Sequence, residues 1–483
     1  MTAELNHTPD WVKNAVFYQI FPDRFAWSPR VEKPNNFESW DSAPTAYGFK
    51  GGDLLGVAEK LDYLEDLGIN AIYFNPIFQS ASNHRYHTHD YFQVDPLLGG
   101  NKAFKELLTE AHKRGIRVIL DGVFNHSSRG FFQFNHILEV GEKSPYLDWF
   151  FVHGFPLHAY EGSPNYDCWW SLPGLPKFNT NNPQVRKYIL SIARHWLEEG
   201  IDGWRLDVPF EIDDDDFWRE FREVVKTANP DAYIVGEIPT EAQRWMRGDM
   251  FDAVMNYQLT RACLAFFGGS KMDSVLAEGM MGFNVPEPMD AAQFARRTRE
   301  LLRIYPQEFA YAQLNLLDSH DMPRFLSLVS EDTQRLYLAY LFMMTYPGAP
   351  CIYYGDEIGL TGGIDPMCRK SFPWDESAWN TGLRDKIREL TLLRHAMPVL
   401  RTGEYLPLLT EGSLLVYARK DSEDAVIVAI NLENSPQTVT LRVDGLLAEE
   451  SLLQDQLSEK QVEVKAGEIR DLTIPRMSAL ILA

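Results

Sequence analysis

Residues Gly203–Glu211 read GWRLDVPFE. Just upstream, EEGIDGW (Glu198–Trp204) carries a helix end into a strand, in which Arg205 and Asp207 alternate with Trp204 and Leu206. Successive strand side chains point to opposite faces, so the charged pair shares one face and the apolar pair the other. Charge aimed inward from a strand's carboxyl end is costly unless it is paired or used. A structural ion pair would satisfy that requirement alone, so the ends of the other strands must decide.

The flanking sequence repeats one unit. A strand-like run spans Ala15–Phe25, and a helical pattern spans Leu54–Leu67 with Gly68 as its C-cap. Strand Ile69–Phe78, helix Lys102–Arg114 and strand Ile116–Phe124 follow. After a break, helix Val185–Glu199 leads into the quoted strand. Helix Phe217–Thr227 then precedes strand Ala232–Ile238, and strand Phe251–Tyr257 comes next. Helical residues Ala291–Ile304 precede strand Tyr311–Leu317, and helix Thr333–Thr345 precedes strand Pro350–Tyr354. Strands alternating with helices make parallel βα units, and eight strands close a barrel. The predicted fold class is therefore α/β, a (β/α)8 TIM barrel whose functional residues sit at the strands' carboxyl ends.

The break, rich in aromatic, Pro, Gly and Asn residues, is read as an inserted domain over the mouth, since long irregular insertions are usually functional. Past helix Leu383–His395, short alternating runs (Ser413–Ala418, Ala425–Asn431, Thr438–Val443) predict a small antiparallel β domain that caps the barrel. The expected division is residues 1–126 and 184–395 for the barrel, 127–183 for the insertion and 396–483 for the C-terminal domain.

With 483 residues, 45% of them hydrophobic, the chain can bury a large core. Its net charge of −22 argues against a nucleic-acid or anionic-membrane partner. The acidic run Asp213–Asp216 suits a helix start. Four cysteines without CxxC spacing read as reduced thiols of a cytoplasmic protein. No leader-like N-terminus and no membrane-spanning apolar run is found.

Four strands deliver acids or histidines to one rim. They are Asp121–His126, the Arg205/Asp207 pair, Glu237, and Asp318–Asp321. Adjacent strands lie ~5 Å apart, which matches the carboxyl spacing of a retaining glycosidase for Asp207 and Glu237. Asp207, kept ionised by Arg205, would attack an anomeric carbon, and a partly protonated Glu237 would protonate the leaving oxygen. Asp321 would stabilise the positive charge that develops on the sugar ring. His126 and His320 could bond sugar hydroxyls, or each could be a satisfied structural histidine.

These stretches resemble glycoside hydrolase family 13, the α-amylase family. DGVFNH (Asp121–His126), GWRLDVPFE, GEI (Gly236–Ile238) and LLDSHD (Leu316–Asp321) match its four main regions in order. The resemblance covers nearly the whole chain, and it implies that Asp207 is the nucleophile, Glu237 the acid/base and Asp321 the third essential carboxylate. LPKFN (Leu175–Asn179), Glu211 and HRYHTHDYFQVDP (His84–Pro96) are similar to the neopullulanase, cyclomaltodextrinase and maltogenic amylase group. By that likeness Tyr86 stacks under the sugar beside the scissile bond, with His84 next to it. The alternative for Tyr86 is a core aromatic. In GGIDPMCRK (Gly362–Lys370) the resemblance has Asp365 and Arg369 hold the next sugar out, and an ordinary i, i+4 surface pair is the other reading.

Three departures stand out. The first strand begins near Ala15, so the group's N-terminal β domain is expected to be absent and the cleft open to longer chains and branch points. The loop FAWSPRVEKPNN (Phe25–Asn36) lacks the oxygen ligands calcium prefers, so no metal or cofactor is expected to be required. Pro239 and Thr240 follow Glu237 where relatives usually carry Trp-His, which alters the acceptor side. The expected activity is hydrolysis of α-1,4 and α-1,6 links in maltooligosaccharides, branched α-glucans, pullulan or cyclodextrins, with debranching of longer chains favoured. A transglycosylase or isomerase on the same fold is the nearer rival. A non-catalytic interaction protein, like the amylase-like ectodomains of amino-acid transporter heavy chains, is the remoter one. Monomer and homodimer both stay open.

Overall fold

A computed structural model describes residues 7–278 and 284–483. The leaderless N-terminal reading falls partly on residues 1–6, outside the described residues. Eight parallel strands form one sheet. They are β1 (Phe17–Ile20), β2 (Ala71–Phe74), β3 (Arg117–Gly122), β4 (Gly203–Leu206), β5 (Tyr233–Gly236), β6 (Ala253–Val254), β7 (Leu314–Leu316) and β8 (Ala349–Tyr353). Their order is β6-β5-β4-β3-β2-β1-β8-β7, and a parallel bridge from Met255 to Leu314 joins the two ends into a barrel.

Local chemistry sets the outer helices. Helix α1 (Gly100–Lys113) buries Ala103, Phe104, Leu107, Leu108 and Ala111, a 3.6-residue stripe. Helix α2 (Pro183–Glu198) starts on Asn182, whose side chain accepts from Gln184 N, with Pro183 at the first turn. Helix α3 (Asp215–Ala228) starts on Asp214, which accepts from Phe217 N. The acidic run thus caps a helix. The predicted helix Leu54–Leu67 is instead two pieces, Leu54–Ala58 and Leu61–Asp66. The first is pressed on the loop after β1, where a Cβ on Gly56 would lie 2.6 Å from the Ala26 backbone. Periodicity registers apolar spacing and not such a close backbone approach.

The insertion between β3 and α2 also departs from expectation, because it contains a nine-residue helix, Phe132–Val140. It buries Phe134 and Ile137, too few apolar positions to show a period among so many aromatics. The insertion is stitched to the barrel rim by the bridge His126–Lys177 and by Phe178 N, which donates to Asn125 O at 3.0 Å.

After the barrel, two four-stranded antiparallel sheets stack. The run Ser413–Ala418 is expected to alternate, yet the strand found there, Leu414–Lys420, is buried on both faces. Leu414 and Val416 pack on the second sheet, while Leu415 and Tyr417 pack on the barrel's core. This strand is sandwiched, so its apolar run is continuous. All four cysteines are free, and no helix among the described residues is long and apolar enough to cross a membrane.

Gly203 opens β4 where the sheet has no room for a side chain. An added Cβ would sit 2.3 Å from Tyr233 O, and β4 is paired on both sides. Gly203→Ala is expected to destabilise by about 3 kcal/mol, the upper range for forced overpacking. A lowered thermal midpoint checks this; an unchanged one would mean that the strand pair yields.

Candidate active site

The strand ends converge on Arg205, whose guanidinium is fully buried. Its Nη1 donates to Asp121 Oδ1 and Oδ2 at 2.8 and 3.0 Å and to Asp207 Oδ1 at 3.1 Å. Its Nη2 lies 2.7 Å from Glu237 Oε1. The expected private Arg205–Asp207 pair is therefore a shared cation, in which Asp121 takes the two-pronged contact. The reason is register, since Asp121 and Arg205 are direct partners across β3 and β4. Backbone ladders fix the other carboxylates, with Asp207 N donating to Gly122 O and Glu237 N to Leu206 O.

Val208 holds a conformation unusual for a β-branched residue, with φ 35°. That turn aims its N–H at Glu237 Oε2, 3.1 Å away. Strain of this kind persists only where surrounding structure enforces it, commonly at functional sites. Tyr257 OH donates to Glu237 Oε1 at 3.3 Å.

Facing this group, Asp321 is bound by Arg369 Nη2 at 3.2 Å and His320 Nε2 at 3.1 Å. Arg369 also donates to His320 O at 2.8 Å and lies 3.1 Å from Asp365. Arg369 is buried, so its pair with Asp365 is no ordinary surface bridge. His320 Nδ1 is faced by the amides of Gln19 and Asn75 at 3.0 and 3.1 Å. Two amide donors make Nδ1 the acceptor and leave the proton on Nε2, toward Tyr86 OH and Asp321. Tyr86 stacks on His320 with ring centroids 5.5 Å apart and donates to Asp121 Oδ2 at 2.8 Å. It lines the cleft, with His84 beside it. His126 also lines the cleft, stacked on Trp169.

Burial dominates the titration of these groups. It pushes Asp121 up to about 6 against the pull of Arg205. Burial also raises Asp207, Glu237 and Asp321 above the usual carboxylate range, with Arg205 or Arg369 opposing; neighbouring acids add to the rise of Asp207 and Glu237. It lowers His126 to about 3 and depresses His320, so both imidazoles are neutral. Two guanidiniums cannot neutralise four buried carboxylates, so the cluster holds protons well above the pH at which free carboxyls lose them.

All ten residues singled out in the sequence meet in or directly beneath one cleft of about 460 Å³. Several lining residues were not singled out, among them Tyr257, Trp169, Trp170 and Phe210. The strand-end rule applied to β6 would have found Tyr257, three residues past a two-residue strand. Nothing local marks the tryptophans, which lie in the irregular insertion. Among the described residues, no group of three or more His, Cys, Asp or Glu side chains is placed to hold a metal ion.

The alpha amylase catalytic-domain profile matches residues 19–392, and the alpha-amylase C-terminal domain profile matches 403–482. The chain belongs to the alpha-amylase family. Among its family relatives, a cyclomaltodextrinase of Geobacillus thermopakistaniensis is 45% identical across 92% of this chain and 73% of its own length. Neopullulanase 2 of Thermoactinomyces vulgaris is 41% identical across 99% and 79%. The solved debranching enzyme of Nostoc punctiforme is 48% identical, covers 99% of both chains and superposes with a TM-score of 0.87. The eight-stranded barrel and C-terminal β sheets are thus the architecture of an alpha-amylase family protein.

Proposed function

We propose that this chain is a retaining α-glucan hydrolase that cuts α-1,4 and α-1,6 glucosidic bonds in maltooligosaccharides, branched glucans, pullulan or cyclodextrins. One observation carries the reading: Asp207 and Glu237 share the Arg205 guanidinium on the floor of the cleft. Two carboxyls on one guanidinium stand close together, as direct attack requires; an inverting site spreads them to admit a water. Asp207 attacks the anomeric carbon as Glu237 protonates the departing oxygen. Glu237 then draws the proton from water, which releases the sugar from Asp207. Asp321, held by Arg369 and His320, steadies the positive charge that develops on the ring in the transition state of each step. The Arg369–Asp365 pair, with His84 and Tyr86, forms the donor end of the cleft. The names of the relatives support this substrate range. We read residues 1–126 and 184–395 as the catalytic unit, 127–183 as its roof and 396–483 as a cap, in a protein of the cytoplasm.

The test is a chromatogram of products from maltooligosaccharides, β-cyclodextrin, pullulan and amylopectin, each with and without added maltose. Short maltooligosaccharides from several of these support hydrolysis, and longer products made only with maltose would favour transfer. No cleavage of any of the four would overturn the reading.

We also propose that activity needs no calcium. In the loop after β1, Asp53 accepts from Ser28 N and Gly56 N and lies 3.0 Å from Lys33 Nζ. The buried Lys50 ammonium takes Ser39 O and Ser42 O, both at 2.7 Å. Lysine ammoniums thus engage the oxygens a hard cation would use. Dialysis against a chelator is expected to leave rate and melting temperature within experimental error. A large loss of both, restored by calcium, would refute this.

A further inference from the structure

Near Asp321 the chain buries an ionic cluster that the chemistry above does not use. Its centre is Arg324, which is fully buried. Arg324 Nη1 donates to Asp356 Oδ1 at 2.8 Å, and Asp356 Oδ2 accepts from Tyr340 OH at 2.7 Å. Arg324 Nε and Nη2 find no hydrogen-bond partner among the described residues. The guanidinium lies over two rings instead, its carbon 4.3 Å from the Tyr353 centroid and 5.0 Å from that of Tyr354. A buried cation with donors left unmade is costly, and an apolar side chain of similar volume would be cheaper there. Packing alone gives no reason for it.

The third member is Asp318, also buried, whose carboxyl is in hydrogen-bonding contact with that of Asp356. Two touching carboxyls beside one guanidinium carry one proton between them. Burial and the neighbouring Asp356 push Asp318 well above the usual carboxylate range, so Asp318 holds the proton and Asp356 is the anion facing Arg324.

The contacts of this cluster show what it ties together. Asp318 Oδ2 accepts from Phe325 N at 2.5 Å, which closes the loop of residues 318–325 that carries His320 and Asp321. Arg324 N donates to Gly362 O, and Gly362 N donates to Ser327 Oγ, both at 2.9 Å. Gly362 opens the second loop, residues 362–370, which carries Asp365 and Arg369. A Cβ on Gly362 would lie 2.4 Å from Met367 O, so this loop folds back tightly on itself. The two rings against Arg324 reach the same loop. Tyr353 OH donates to Cys368 O at 3.2 Å, and Tyr354 OH donates to Lys370 O at 2.6 Å. Cys368 Sγ and Arg369 Nε in turn donate to His320 O at 3.2 and 2.8 Å. Arg324 therefore joins the loop that carries Asp321 to the loop that carries the arginine holding it.

We propose that Arg324, paired with Asp356 and through it with Asp318, is a positioning residue that sets Asp321 against the sugar ring. This rests on the hydrolase reading above. A reacting group must be held to within about 0.5 Å of its productive place. A displacement of about 1 Å, caused by a change remote from the chemistry, can cost ~10²-fold in rate. One ion pair tied to both loops fixes both partners of the Asp321–Arg369 contact at once.

The experiment is a double-mutant cycle on α-maltosyl fluoride, read as kcat and KM beside the thermal midpoint. Arg324→Met is expected to lower kcat about 10²-fold with KM changed less than about twofold, because Asp321 acts on the transition state. Arg324→Lys keeps a cation beside Asp356 and is expected to recover most of that loss. In an Asp321→Asn background, Arg324→Met should cost less than about threefold more, since the group it positions is gone. A purely structural role would lower the midpoint and cost the same factor in both backgrounds. That result, or an undiminished kcat in Arg324→Met, would overturn the proposal. If Arg324→Met does not fold, the isosteric Asp356→Asn carries the same cycle with the same outcomes, and failure of both to fold would make the pair a stability element and overturn the proposal too. A wild type that does not turn over the fluoride would overturn the hydrolase reading itself.

Discussion

Asp207→Asn is expected to lower kcat on maltooligosaccharides on the order of 10⁴-fold or more, the scale seen when one member of a catalytic unit is removed. That corresponds to roughly 5.5 kcal/mol of lost transition-state stabilisation. An amide is nearly the same size as the carboxylate, so the fold should not register the change. Arg205 keeps its two-pronged contact to Asp121 and its contact to Glu237, so no buried cation is stranded. An amide is a poor nucleophile and cannot form the glycosyl ester. The measurements are steady-state turnover and thermal midpoint on the same preparation. Loss of activity with an unchanged midpoint is the expected pair, and near-wild-type turnover from a verified preparation would falsify the mechanism.

Glu237→Gln should behave differently from Asp207→Asn. General acid–base catalysis contributes ~10²–10⁴-fold, and its weight depends on how much help the leaving group needs. A sugar hydroxylate is a poor leaving group, so maltotriose hydrolysis is expected to fall about 10³-fold. A maltosyl fluoride leaves without a proton, so its first step should be almost spared. Its second step still lacks a base for water, and added azide, which needs none, should speed turnover. Failure of azide to help, or equal losses on both substrates, would remove Glu237 from the acid/base role. In the wild type, activity should fall at low pH as Asp207 gains a proton and at high pH as Glu237 loses one. Burial raises both groups, so both limbs should lie above the range of a free carboxyl. The high-pH limb should vanish for the fluoride with Glu237→Gln, because that variant has no proton to lose.

Much of this was readable along the chain because it is local. Eight apolar runs, spaced by helical stretches and closed by glycines such as Gly68 and Gly115, specify the barrel. An inward charge at a strand's carboxyl end marks Arg205, Asp207, Glu237 and Asp321 before any coordinates exist. Some signals were present and passed over. Gln461–Lys465, with Val462 and Val464 buried between exposed neighbours, is a plain alternating strand of the C-terminal domain.

What only the tertiary structure decided depends on groups far apart in sequence. The sharing of Arg205 among Asp121, Asp207 and Glu237 follows from strand register, which a single strand does not contain. The proton on His320 Nε2 is set by Gln19 and Asn75, both more than 200 positions away. Asp365–Arg369 looks like a surface pair in one dimension, yet Asp321 and His320 close over the arginine. Trp170 shows no more in sequence than one aromatic among many. Its exposure comes from a turn held by Leu175 and Lys177, and no propensity predicts its left-handed backbone. Sequence by itself therefore determined the fold and singled out the candidate reacting groups, since both are written in periods and strand ends. Their charge states, their partners and the shape of the cleft wall needed the folded chain, because burial and register are properties of contacts between distant segments.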